Sequence, residues 1–207
     1  MKTCVIFCAG EFKELCTPVE ADHLLIAADG GLVHLQELGL KPDIILGDFD
    51  SLGYVPEGAE VYPVEKDDTD TMLAIKKGLA LGCDRFYIYG ATDGKWVDHT
   101  LANFQALQYL AEQGARGWLI GNRQIITAIC NDKIVFPPIC FQELSVFCMG
   151  ADAKGVSIRN MKYEMEDGVL TSAFPLAARN QFIQKKATVE VKDGTLLLIW
   201  RRKNGIL

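Results

Sequence analysis

Ile44-Ile45-Leu46-Gly47-Asp48-Phe49-Asp50-Ser51 is the stretch on which the reading of this 207-residue chain turns. Its apolar half reads as a buried parallel strand, and in open α/β sheets ligands bind beyond the carboxyl ends of such strands. At an extended strand end, residues two apart point the same way, so Asp48 and Asp50 are expected to present two carboxylates to one side. A second acidic cluster follows, Lys66-Asp67-Asp68-Thr69-Asp70-Thr71. Either cluster alone would be ordinary solvated surface on an acidic protein. Together, at neighbouring strand ends, they gather enough oxygen ligands for Mg²⁺, whose shell is usually completed by a substrate phosphate.

Upstream, residues 4–9 and 24–28 are two further buried-strand patterns, the first ended by Gly10 and the second by Asp29-Gly30-Gly31. Leu32, Leu35 and Leu38 then follow helical spacing, with Gly39 as the stop. A glycine pair at a strand-to-helix junction lets the backbone approach a ligand, and a helix N-terminus offers free N–H groups to an anion; a simple tight turn is the alternative. Downstream, residues 61–64 read as a short strand and residues 69–81 as a helix carrying Met72, Ile75 and Leu79 on one face. Asp67, Asp68 and Asp70 therefore fall at a helix start, where Asp and Thr are good caps. One of them suffices for capping, and three within four positions repel one another unless a cation intervenes.

Residues 85–90 continue as a strand, residues 98–113 as a long helix with Leu101, Phe104, Leu107 and Leu110 inward, and residues 118–121 as a further strand. Alternating strands and helices of this length make an α/β domain with a parallel sheet covered on both faces. Past Asn122 the helical periodicity stops. Short β-rich runs at 125–130, 134–136, 144–148, 156–158, 187–191 and 196–200 alternate with turn signals such as Asn131-Asp132-Lys133 and Pro137-Pro138, the texture of a small antiparallel sandwich or barrel. The expected division is residues 1–123 and 124–207, with no flexible linker between them.

A net charge of −6 and the lack of a Lys/Arg block argue against nucleic-acid binding. The seven cysteines are odd in number, scattered, and include no C-x-x-C pair, so neither a disulfide framework nor a zinc site is expected. No apolar run reaches transmembrane length, and the short one near the start lacks a small-residue cleavage pattern, which leads to the expectation of a cytoplasmic protein without membrane contact. Neither Gly-x-Ser-x-Gly nor a Walker A pattern occurs, which sets aside serine hydrolases and P-loop kinases. Asp98-His99, at the head of the long helix, completes the candidate inventory, although Asp98 could serve as N-cap alone and a lone histidine there is more often structural.

Taken in order, Ala27-Ala28-Asp29-Gly30-Gly31, Gly47-Asp48-Phe49-Asp50-Ser51, Lys66-Asp67-Asp68-Thr69-Asp70-Thr71 and Asp98-His99-Thr100-Leu101-Ala102-Asn103 closely resemble the motifs of the bacterial thiamine pyrophosphokinase family, over nearly the whole chain. The resemblance implies a Rossmann-like catalytic domain, a C-terminal β-sandwich contributing to the thiamine site, a homodimer, and transfer of a diphosphate from ATP to thiamine with release of AMP. By the same resemblance Asp48, Asp50 and Asp70 are the Mg²⁺-binding carboxylates, placed or supplemented by Asp67 and Asp68. Asp29, Gly30 and Gly31 would lie along the nucleotide, and Lys66 would offer a cation to the phosphates. Thr69, Lys95 and Asn180 would stand on the ATP or thiamine side. Asp98 matches the substrate-side aspartate, which orients the acceptor hydroxyl or takes its proton.

The chain departs from the family pattern in two places. Asp93-Gly94-Lys95-Trp96-Val97-Asp98-His99 is one residue longer than the family's usual segment and has Lys95 in place of an arginine, so it loses the bidentate fork. Ala178-Arg179-Asn180-Gln181-Phe182 keeps the family's asparagine but carries Arg179 where a serine is usual. A cation facing a cationic thiazolium is unfavourable. Either Arg179 turns to phosphate or to an acidic partner, or the acceptor is another small alcohol, for example of pterin type. Two rivals from other classes are a haloacid-dehalogenase-type phosphohydrolase, suggested by Asp48-Phe49-Asp50, and a catalytically silent nucleotide-binding module.

Overall fold

Cys4, Val5, Ile6 and Phe7 are all buried, a continuous apolar run suited to a strand covered on both faces. In the computed structural model, which describes residues 1–94, 96–138 and 143–201, this run is β1 (Thr3–Phe7). It pairs in parallel with β2 (Leu24–Ala28) on one side and β5 (Arg85–Tyr89) on the other. Beyond β2 lie β3 (Ile44–Gly47) and β4 (Glu60–Val61), also parallel. With β6 (Arg116–Ile120) the order is β4-β3-β2-β1-β5-β6. The carboxyl ends of β1, β2, β3 and β5 thus open on one edge, the edge where ligands of such sheets bind.

Three helices are present among the described residues: α1 (Gly31–Glu37), α2 (Asp70–Ala80) and α3 (Val97–Glu112). Thr69 caps α2 by accepting the Met72 N–H at 3.2 Å, the side-chain cap that its residue type favours. Ile75 of α2 and Leu107 and Leu110 of α3 are buried as their spacing predicts. Leu101 is not: it is 56% exposed, one turn into α3. Leu38, the residue that follows α1, is likewise 36% exposed.

The chain folds as two compact units, Met1–Ala106 with Gly117–Asn122, and Leu107–Arg116 with the chain from Arg123 onward. In the second unit every strand pairing is antiparallel. β13 (Asp193–Arg201) runs between β7 (Gln124–Cys130) and β9 (Leu144–Arg159), and β12 (Ala187–Glu190) between β9 and β8 (Lys133–Phe136). β10 (Met165–Leu170) and β11 (Ala177–Asn180) add to β9. Its core includes Val146, Ile158, Val189, Leu196, Leu198 and Trp200, and Phe136 meets Phe182 and Trp200 edge to face. The protein is therefore mostly sheet, with both parallel and antiparallel pairing.

The strand texture past Asn122 is present, with two differences. The runs at 144–148 and 156–158 are one sixteen-residue strand. Gly150 and Gly155, at φ +74° and +65°, bend it without ending it, because partners continue along both halves. β10 and β11 carry one fully buried residue each, Leu170 and Asn180, and such strands give no apolar alternation to read. Among the described residues no helix is long and apolar enough to cross a membrane.

Candidate functional site

β2 and β3 run side by side with Ala28 opposite Leu46. The ladder continues one step past the strand, since the Asp29 N–H donates to the Leu46 carbonyl at 2.8 Å. Asp29 is thereby pressed against Gly47, where a Cβ would lie 3.1 Å from its backbone; Gly47 also sits at φ +149°, a conformation open to glycine. The chain then turns. Phe49, 3% exposed, is held at φ +60°, a strained conformation for a bulky side chain, of order 1–3 kcal/mol, that persists only when its surroundings fix it. The Asp50 N–H closes the turn onto Asp48 Oδ1 at 3.3 Å.

Asp48 and Asp50 are thus neighbours for a reason other than strand alternation, which ends at Gly47. The turn brings them together and adds a third group: one carboxylate oxygen each of Asp29, Asp48 and Asp50 lie within 4.8 Å of one another. Asp29 is held in place by the Ser51 hydroxyl, which donates to its Oδ2.

Asp70, the first residue of α2, joins this group through Lys66. The Lys66 ammonium lies 2.5 Å from Asp48 Oδ2 and 3.2 Å from Asp70 Oδ1. That hydrogen bond from Lys66 holds the Asp48 carboxyl below its ordinary range. Burial pushes the Asp70 carboxyl up, against the pull of the same lysine. Burial also disfavours the Lys66 ammonium, but its two carboxylate partners prevail and keep it above its ordinary value.

Four carboxylates against one ammonium leave a strong excess of negative charge. Asp29 Oδ1 is buried and, among the described residues, accepts no hydrogen bond, while Asp70 Oδ1, also buried, has only the Lys66 ammonium at 3.2 Å. An unsatisfied buried acceptor costs about 1–3 kcal/mol, more when charged. All-oxygen, carboxylate-rich ligands are the donor set of a hard divalent cation such as Mg²⁺. The residues present fit such an ion.

The family model described as thiamin pyrophosphokinase, catalytic domain, matches residues 17–119, and that described as thiamin pyrophosphokinase, vitamin B1 binding domain, matches residues 132–196. The chain belongs to the thiamin pyrophosphokinase family. The thiamine pyrophosphokinase of Bacillus subtilis (strain 168) is 27% identical over 218 residues, covering 96% of this chain and 98% of that protein. The crystal structure of thiamine pyrophosphokinase from Bacillus subtilis superposes with a TM-score of 0.86 at 24% identity, covering 98% of this chain and 100% of that one. The thiamin pyrophosphokinase of Candida albicans shares the fold at a TM-score of 0.76 and 14% identity, over 97% of this chain and 89% of that one.

The other candidate residues of this thiamin pyrophosphokinase family member have varied positions. Gly31 is required by packing: a Cβ there would lie 1.9 Å from the Phe7 carbonyl oxygen, so the start of α1 presses directly on β1. Gly30 leaves room for Ser51, whose Oγ would stand 2.9 Å from an added Cβ. Asp68 pairs with Lys76 at 2.7 Å, and Asp67 is exposed. Thr69 has its hydroxyl committed to the α2 cap. Asp98 lies in the first turn of α3, exposed, with Oδ1 accepting the His99 N–H at 2.8 Å; His99 is exposed as well. Lys95 lies outside the described residues. Trp96, beside it, is 66% exposed.

Two candidate residues near the C-terminus have their partners within the chain. Asn180 is 3% exposed, and its Oδ1 accepts the N–H groups of Tyr163 and Gln181 while its Nδ2 donates to the Tyr163 carbonyl. Its place is that of an internal tie between two chain segments. Arg179 has the acidic partner: Nε and Nη2 donate to Glu143 Oε1 at 3.2 and 2.8 Å.

The sequence carries no signal for the contact of Ser51 with Asp29, and the motifs do not show that Asp29 stands beside Asp48 and Asp50. A signal for Asp29 lies in its position, because it follows β2 as Asp48 follows β3, and the two strands are neighbours.

Proposed function

We propose that this chain transfers a diphosphate group from ATP to the hydroxyl of thiamine, forming thiamine diphosphate and AMP in a Mg²⁺-dependent reaction. The observation that carries the reading is the group of Asp29, Asp48 and Asp50, joined to Asp70 through Lys66, with a buried oxygen of Asp29 lacking a donor. Residues 1–123 are read as a Rossmann-like catalytic domain and residues 124–207 as a β-sandwich contributing to the thiamine site. The enzyme is read as a cytoplasmic homodimer.

Asp48, Asp50 and Asp70 would hold the metal, with Asp29, oriented by Ser51, as a further oxygen donor. Bound there, Mg²⁺ supplies positive charge to the phosphates of a transfer whose transition state is loose and whose catalysis is mostly positioning and charge stabilisation. The acceptor oxygen forms a bond to the β-phosphorus while the bond from that phosphorus to the oxygen bridging to the α-phosphate breaks, and AMP leaves with that oxygen. Asp98 is assigned to the acceptor side, where its carboxylate orients the hydroxyl or takes its proton. The pairing of Arg179 with Glu143 balances the arginine's charge locally and so weakens the objection to a cationic acceptor.

Incubation with ATP, Mg²⁺ and thiamine, followed by separation of the nucleotides, tests the proposal. AMP in equal amount to thiamine diphosphate is expected, and ADP would overturn it. AMP formed with a pterin alcohol but not with thiamine would move the acceptor, and nucleotide binding without turnover would indicate a silent module.

A further inference from the structure

Lys66 is 12% exposed at its side chain, with Asp48 at 9% and Asp70 at 23%. Lysine is seldom buried to this degree unless paired, and here one ammonium stands between two carboxylates from different elements: the turn after β3 and the first residue of α2. Its two contacts differ in kind. To Asp48 it makes a hydrogen bond. To Asp70 Oδ1 it stands at ion-pair distance, 3.2 Å.

We propose that Lys66 is a resident counter-cation that occupies, between Asp48 and Asp70, a position a divalent ion would otherwise take, and so weakens metal binding to the nucleotide-free protein. This rests on the Mg²⁺ reading above. The lysine satisfies the charge of two carboxylates but leaves Asp29 Oδ1 bare, so the pocket is held together without being neutralised. An ion entering alone must displace the ammonium from Asp48 or share that carboxylate with it. An ion entering with a triphosphate brings a new anionic partner for the lysine, which turns from Asp48 to the phosphates. Lys66 thus couples metal loading to nucleotide loading, a linkage that is reciprocal by thermodynamic necessity.

The experiment uses the full chain and Mn²⁺ as the probe, with binding read by electron paramagnetic resonance or calorimetry, and thermal unfolding read with and without metal. In the absence of nucleotide, Lys66→Gln is expected to bind Mn²⁺ about tenfold more tightly than wild type. Without metal it melts several degrees lower, and Mn²⁺ raises its melting temperature more than it raises that of wild type. Lys66→Arg keeps the charge and stays close to wild type. Lys76→Gln removes an equal charge from the Asp68 pair and changes Mn²⁺ affinity by no more than about twofold.

With ATP present, the advantage of Lys66→Gln shrinks or reverses. Mn²⁺ affinity in Lys66→Gln equal to or below wild type overturns the inference, as does an equal gain in Lys76→Gln. A Lys66→Gln protein that folds only with Mn²⁺ supports it, and one unfolded under both conditions counts against it. Should neither wild type nor Lys66→Gln bind Mn²⁺ with or without ATP, the metal reading itself fails; binding by wild type without a gain in the variant removes only the role of Lys66.

Discussion

Ser51 donates its hydroxyl hydrogen to Asp29 Oδ2 across 22 positions of sequence, tying the turn after β3 to the end of β2. The other oxygen of Asp29 is buried without a donor. Removing the hydroxyl with Ser51→Ala leaves both oxygens of a 7% exposed carboxylate unsatisfied. The expected loss is about 1–3 kcal/mol of stability, measured by urea unfolding without metal, and addition of Mg²⁺ with ATP recovers much of it. A Ser51→Ala protein as stable as wild type would show that Asp29 relaxes to water.

Asp48 is the carboxylate that meets both Lys66 and the Asp29–Asp50 group. Asp48→Asn keeps the shape and can still accept from Lys66, but it removes the charge that faces the metal. Turnover, followed as AMP release, is expected to fall by at least about 100-fold, while the circular dichroism spectrum stays that of wild type. Near-normal turnover would take Asp48 out of the metal site.

The parallel strands were legible because burial on both faces leaves an uninterrupted apolar run, as in β1 and β2. α2 was legible because Thr69 and Gly82 bracket it with the residues that caps and stops favour. β9 was not, since its apolar pattern breaks off after Cys148 and resumes at Val156, and only the partners on its flanks show that the strand continues between them. At the site, residue types revealed the acidic groups but not their grouping. That depends on Phe49 at φ +60° and on the contact of Gly47 with Asp29, neither of which follows from local pattern. The backbone hydrogen bonds of Asn180 are likewise not legible, because they join segments 17 positions apart.

Arg179 carries its charge 71% exposed at the side chain and balanced by Glu143. Surface replacements of this kind usually shift stability by no more than about 0.5 kcal/mol. Arg179→Ala is therefore expected to leave the unfolding midpoint in place and to change the KM for thiamine by less than about threefold. Steady-state kinetics checks this, and a tenfold fall in KM would show that the arginine opposes the cationic acceptor in spite of its partner.

Cys8 follows β1, buried, with its thiol 3.3 Å from the Thr71 hydroxyl. Burial pushes this thiol from its ordinary 9.0 up to about 12. Between those values the unfolded chain has lost a proton that the folded chain keeps, so folding binds protons and stability falls as pH rises. The slope approaches about 1.4 kcal/mol per pH unit for the one thiol, and it vanishes below pH 9.0, where both states are protonated. Other groups titrate in the same window, so the contribution is isolated by comparing wild type with Cys8→Ala in urea unfolding from about pH 8 to about pH 11. The variant loses stability to its cavity at every pH but declines less steeply in alkali, and the two curves converge. Parallel curves would show that Cys8 ionises in the folded protein. In that case its thiolate would react with thiol reagents in the native state, whereas a buried neutral thiol stays inert.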